Sequence, residues 1–261
     1  MNHQRHFLFL PVVALTALLF AATPGFAQVL LTASEFTLLA GAGVSAASGG
    51  SFLNGNVHGD TGTTGFAPVT VGGATVSGLT LGGAAAAVLP ANNGVTTQAQ
   101  LDRGTAHTAL TNLVTPPANI LSSVLTFGGG TAYLPGNYQF LTTANQLGAV
   151  ILDANFQNGV AWVFNVGTNL TTAAGSTVTI INFGSNGGND LGVFWNTGFG
   201  ITVGDNNTVL GNYIAGTAIS FSGITSTSAS GGFRALAGTS VSFAGLGVSA
   251  NATGGPGGAP A

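Results

Sequence analysis

A short segment with a hydroxyl near its centre and apolar flanks returns along this chain: Leu170-Thr171-Thr172, Ile201-Thr202-Val203, Ile219-Ser220-Phe221 and Val241-Ser242-Phe243. Gly or Asn stands close to each copy. A β-strand alternates its faces with period two, so large apolar groups fall on one side and a small hydroxyl on the other. Stacked copies would bury the apolar side in a continuous core and leave a small, uncharged outer row. The pattern points to a shaped surface rather than an enclosed active site.

Two further strand types accompany the first between Tyr138 and Phe243. The second includes Thr177-Val178-Thr179-Ile180 and Thr208-Val209-Leu210; the third includes Tyr138-Gln139-Phe140, Trp162-Val163-Phe164, Val193-Phe194-Trp195 and Tyr213-Ile214-Ala215. One strand of each type per turn makes a solenoid coil. The circuit from Ile201 to Ile219 is short, and its neighbours are lengthened around Asn182–Asp190 and Ser226–Gly232. Strands of the third type are apolar at consecutive positions, so both of their faces should be buried and their outer side needs a cover. The sequence predicts that cover as a helix over 97–114. Thr97 and Gln100 fit a capping box. Ala99, Ala106, Leu110 and Leu113 share a face at helical spacing, and Pro116-Pro117 stops the run. Gly104 weakens it by about 1 kcal/mol. A strand-rich block at residues 34–82 precedes this helix, which makes the solenoid discontinuous in sequence.

Only 3% of the residues are charged, against roughly a quarter in an average protein. Beyond Arg5 the basic residues are Arg103 and Arg234, which argues against nucleic acid and anionic membrane surfaces as partners. Abundant, regularly placed Val, Ile, Leu and Phe argue against disorder. There is no cysteine, so stability must come from core and ladder alone. Met1–Arg5 carries positive charge, Phe7–Ala22 is apolar, and Gly25-Phe26-Ala27 offers small residues for cleavage. That is the layout of a secretory signal peptide over 1–27, cleaved after Ala27, and it implies a secreted protein without a membrane contact after signal removal. Residues 28–250 then form one β-solenoid domain, and the Gly/Pro-rich 251–261 a flexible tail.

The chain resembles the bacterial and fungal ice-binding proteins of the domain family once called DUF3494. The resemblance lies in Phe36-Thr37-Leu38-Leu39-Ala40-Gly41, Gly55-Asn56-Val57-His58-Gly59-Asp60, Leu134-Pro135-Gly136-Asn137-Tyr138 and Val150-Ile151-Leu152-Asp153-Ala154. It continues in Trp162-Val163-Phe164, Leu170-Thr171-Thr172-Ala173-Ala174-Gly175-Ser176, Val193-Phe194-Trp195 and Arg234-Ala235-Leu236-Ala237, in family order over most of residues 32–245. It implies a mainly β protein: a discontinuous right-handed β-solenoid of triangular cross-section with one long α-helix packed along one face. It also implies adsorption to ice through a flat face often rich in Thr, Ser, Ala and Gly. This chain departs from the pattern in the expansion at Ser226–Gly232 with Phe233, and in lacking a strict Thr repeat.

Thr has a stiff χ1, and a row of Thr spaced by the strand repeat of about 4.7–4.9 Å could order water without binding it as strongly as a charge does. Two adjoining outward rows are the candidates: Thr171, Thr202, Ser220 and Ser242 from the first strand type, and Thr177, Thr179, Thr208 and Thr225 from the second. Their partner would be an ice crystal surface with its ordered water. Ile151 is expected outward in the first row and Asp205 at the border of the face. Catalysis is not expected, since Asp153, Asp190 and Asp205 are isolated carboxylates. His58 and His107 lack metal-ligand spacing, and nothing calls for a metal or cofactor. The rival reading is a non-catalytic cell-surface adhesion or structural β-solenoid. The sequence leaves the oligomeric state open.

Overall fold

The computed structural model describes residues 27–46, 56–59, 70–71, 74–75, 80–81, 84–85, 94–121, 125–223, 225–227, 231–243 and 248–249. The expected signal peptide, apart from Ala27, and the expected tail at 251–261 lie outside them. Three sheets, of eight, nine and six strands, form the sides of a solenoid. One coil shows the circuit. Gly192–Thr197 lies in the eight-stranded sheet, Ile201–Val203 in the nine-stranded sheet and Asn207–Val209 in the six-stranded sheet, before Gly211–Ala215 begins the next coil. The three expected strand types therefore become the three sides. Coils stack in parallel register, with Ile201 opposite Ile219 and Trp195 opposite Tyr213.

The inward positions make one core. Tyr138, Phe164, Trp195 and Tyr213 occupy the same register position in successive coils, so their rings must stack. Phe164 and Trp195 lie 4.4 Å apart and 10° from parallel, and Phe221 and Phe243 repeat the arrangement at 4.5 Å and 11°. Both indole N–H groups are satisfied by main chain, Trp162 donating to the Tyr133 carbonyl at 2.8 Å and Trp195 to the Leu210 carbonyl at 2.9 Å.

The solenoid is discontinuous. Phe36–Ala40 pairs with Phe233–Ala237, and Gly43–Ala46 with Ser240–Phe243, so the amino-terminal block extends the carboxy-terminal end of the stack. The chain must then return to the opposite end, where Ile120–Leu121 begins the ladder beside Gly136–Phe140. The helix Gly94–Thr111 makes that return. Its 18 residues span about 27 Å at 1.5 Å per residue. That matches the roughly 24 Å covered by the ladder steps between Phe36–Ala40 and Gly136–Phe140 at about 4.8 Å each.

The helix begins and ends three residues before the expected limits, which places Thr97 and Gln100 inside it rather than at a capping box. Ala99, Ala106 and Leu110 are buried as expected and pack with Phe36, Leu39, Val163, Phe194, Ile214 and Leu236 on the eight-stranded sheet. Leu113 lies past the helix end and is 44% exposed, not part of the packed face. The helix ends ahead of Pro116-Pro117, and its carboxy end is tied to the sheet. Asn196 donates to the His107 carbonyl at 3.2 Å and Asn165 to the Leu110 carbonyl at 2.7 Å, adding side-chain donors to main-chain acceptors near the helix end. Asn196 also donates to Asn165 Oδ1 at 2.9 Å, linking the two into a ladder. Midway along the helix, Asp102 accepts from the Thr32 N–H at 3.0 Å, from the Thr32 hydroxyl and from Gln98 Nε2 at 2.8 Å. Burial pushes the Asp102 carboxyl up, but these hydrogen bonds outweigh it and hold the group below the usual carboxylate range.

Candidate functional site

The nine-stranded sheet sets the first candidate row in a single outward column. Thr171 is opposite Thr202, Thr202 opposite Ser220, and Ser220 opposite Ser242. The column continues through Asn145 and Thr126 on one side, and Ser45 follows Ser242 in the ladder on the other. Thr126, Thr171 and Thr202 are exposed, and Asn145, Ser220 and Ser242 half-buried. Strands here are short, and the residues flanking each hydroxyl, such as Ile201 and Val203 or Ile219 and Phe221, are buried. The buried flanks therefore anchor Thr202 and Ser220 to the core, and the Ser220 hydroxyl lies 3.4 Å from that of Thr202. No charged residue occurs in these strands. The adjoining turn positions Thr143, Asn169, Gly200, Ala218 and Ser240 follow one another from coil to coil and are small or polar, so the face stays free of bulk there.

The second row is only partly assembled. Thr177 is opposite Thr208 on the six-stranded sheet, and Thr208 opposite Ser226. Thr179 points outward two residues further along, in a different column beside Ile151. Thr225 is a correction: it faces the interior, 1% exposed and opposite the buried Asn207, and Ser226 takes the outward position. The Oγ atoms of Thr208 and Ser226 lie 3.3 Å apart. Ile151 is a second correction, since it belongs to this sheet and not to the first row. The six-stranded face thus mixes hydroxyls with Ile151, Asp153 and the 40% exposed Ile181. Asp205 lies on the exposed turn after Ile201–Val203 and bonds the Asn206 N–H at 2.9 Å.

Two features escaped the sequence reading. Thr126 and Asn145 lengthen the first column, but Asn145 is not a hydroxyl residue and the coils differ in length: Thr202 and Ser220 are 18 residues apart, the equivalent Asn165 and Asn196 31 apart. The other is a column of glycines at the corner between the eight- and nine-stranded sheets. At Gly41, Gly238, Gly216, Gly198 and Gly167 an added Cβ would approach the main-chain oxygen of the neighbouring coil's equivalent residue closer than the 3.0 Å limit of real structures. Their recurrence just ahead of each first-type strand was the available signal. Among the described residues no group of three or more His, Cys, Asp or Glu could hold a metal ion, and no helix is long and apolar enough to cross a membrane.

This geometry has known counterparts. A curated relative, an ice-binding protein of Nostoc sp. (strain HG1), is 29% identical over 219 residues, which make up 83% of this chain and 72% of that protein. The structure is similar to the crystal structure of an ice-binding protein from the Antarctic ascomycete Antarctomyces psychrotrophicus. The TM-score is 0.67 at 26% identity, covering 86% of this chain and 98% of the other. The DUF3494 domain of Shewanella frigidimarina ice-binding protein_1 shares the fold, with a TM-score of 0.61 at 21% identity over 85% of this chain and 97% of that one. Residues 38–248, nearly the whole stacked body, match the family model described as Ice-binding-like, and the chain belongs to that family.

Proposed function

We propose that the protein is an exported, non-catalytic ice-binding protein that adsorbs to ice through the nine-stranded face. The observation that carries the reading is the outward column Thr126–Asn145–Thr171–Thr202–Ser220–Ser242. It is held in parallel register, without a charged group, on strands whose flanking side chains are buried. Ladder spacing of about 4.8 Å presents the methyl and hydroxyl groups as a regular lattice. Water ordered on that lattice can merge with a growing crystal and halt growth where the protein sits. Membership in the ice-binding-like family and the ice-binding relatives support the same reading. The basic start, apolar run and small residues of 1–27 support export.

The first row is preferred over the second because the candidates of the second fall in two columns, one of them shared with Ile151, and Thr225 is lost to the interior. A bulky Ile151 in the first row would have favoured the adhesive rival; it lies on the other sheet instead. The test is growth of a single ice crystal in purified protein. Wild type should facet the crystal. Thr202→Tyr, a bulky ring at the middle of the column, should abolish most of the shaping while the thermal unfolding midpoint stays unchanged. Thr208→Tyr should retain it. Unshaped disc-like growth with wild type at high concentration overturns ice binding; loss with Thr208→Tyr instead moves the site to the six-stranded face.

A further inference from the structure

A turn outside the ice-facing column holds an aromatic ring in a position that its own backbone disfavours. Ala154 to Gln157 closes by a Gln157 N–H to Ala154 carbonyl bond of 2.9 Å, with φ of 48° at Asn155 and 58° at Phe156. Two central residues with positive φ make a turn of the type that Asn-Gly fills without strain. Asn155 fits that rule. Phe156 breaks it, because a bulky residue in the left-handed region is an outlier. The ring gains nothing from packing to offset this, since Phe156 is 72% exposed. Such an outlier at a surface turn is an observation from which function can be inferred.

The surroundings are polar and braced by hydrogen bonds. Phe156 donates its N–H to the Asn182 carbonyl of the next coil at 2.8 Å. Asp153 Oδ1 accepts from the Asn155 N–H at 2.8 Å and from Asn182 Nδ2 at 2.9 Å, fixing both asparagines around the turn. Asn158 donates to Ser185 Oγ at 3.0 Å, joining the turn to the 182–190 loop. Ile181, opposite Asp153 in the ladder and 40% exposed, adds an apolar step on the same edge.

We propose that this corner binds a neutral polysaccharide, with the Phe156 ring as stacking platform and Asp153, Asn155 and Asn182 presenting hydrogen-bonding groups to the sugar hydroxyls. A pyranose offers an apolar C–H face bordered by hydroxyls, and an exposed ring on a turn that also carries amides and a carboxylate complements both. An anionic polymer does not fit: the chain contains no lysine, and Arg103 and Arg234 bond at the helix-covered side, to the Ala215 and Ser34 carbonyls. The lone ring among polar groups also gives too little apolar area for a lipid surface.

The test is affinity electrophoresis of the full protein in native gels containing hydroxyethylcellulose, a β-1,3-glucan or dextran. At least one of these should retard the wild type. Phe156→Gly should weaken the apparent affinity about tenfold, as expected for loss of one stacked aromatic, and Phe156→Trp should retain it. Gly relieves the turn, so Phe156→Gly should keep or raise the thermal midpoint, which separates lost binding from lost folding. Ice shaping by Phe156→Gly should equal that of wild type. Absence of retardation in all three gels overturns the proposal, as does equal retardation of wild type and Phe156→Gly, or a loss of ice shaping in that variant.

Discussion

Glycine acts in opposite ways at two kinds of site in this molecule. Along the corner column, Gly198 lies so close to the Gly167 carbonyl that no side chain fits, although its φ is ordinary. Gly198→Ala must push neighbouring coils apart, and a cost of about 3 kcal/mol is expected from overpacking against main chain. Gly104, in the helix, has nothing within 4 Å of a would-be Cβ. Gly104→Ala should therefore stabilise by about 0.5–1 kcal/mol through helix propensity. Urea unfolding of the two variants checks both signs. At the same scale, the identity of the hydroxyl residues was legible in the sequence, because Thr or Ser between apolar residues marks an outward strand position. Thr225 misled because it matches Thr208 in residue type but not in register: it stands opposite the buried Asn207, and Ser226 stands opposite Thr208.

At the scale of elements, the helix is a cover held by two polar clamps and an apolar stripe. The Asp102 clamp makes its docking acid-sensitive. Its folded pKa lies below the ordinary 3.8, so the unfolded chain takes up the proton first. The stabilisation is fully present above about pH 4 and is lost as pH falls through the folded pKa. Asp190, lowered by hydrogen bonds from Asn186 and the Gly159 main chain that outweigh burial, adds to the same acid limb. Asp102→Asn should cost about 1.5–3 kcal/mol at neutral pH, the range for hydrogen bonds to a charged group, and should flatten the fall in thermal midpoint between neutral pH and about pH 2 without abolishing it. Measuring the midpoint of both proteins across that range checks this. The existence, stripe and approximate span of the helix were legible from periodicity. Its ends were not, because Asn165 and Asn196, which tie its carboxy end to the sheet, arrive from strands far along the chain.

For the whole molecule, the consequence of discontinuity is that strands early and late in the sequence share one end of the solenoid. Phe36–Ala40 closes the edge that Phe233–Ala237 would otherwise leave open. Phe36 anchors this closure, 1% exposed and packed in the cluster beneath the helix. Phe36→Ala should lower stability by about 3–5 kcal/mol, the range for a deleted core aromatic. It should also raise hydrogen exchange in Phe233–Ala237 before it affects Trp162–Val166. Uniform exchange across all coils would instead show that the block is not a separate closing unit. An intact stack also matters to the proposed activity, since an ice lattice is matched only by a column long and rigid enough to hold its spacing.

The sequence by itself determined the class of architecture. Period-two alternation with hydroxyls at the outward positions requires a β-strand with one buried face. Consecutive apolar residues in the third strand type require a second layer over that side, and a near-absence of charge leaves the remaining faces neutral. These are local properties, written into neighbouring residues. The tertiary structure decided which hydroxyls share a column, because coils of unequal length can be aligned only once their strands are paired. Pairing put Ile151 and Thr179 on the six-stranded sheet, turned Thr225 inward, and joined Asn145 and Thr126 to Thr171. Register between strands that lie 18 or 31 residues apart is settled by the packing of the whole core, and it is that register which turns a scattered set of threonines and serines into a face.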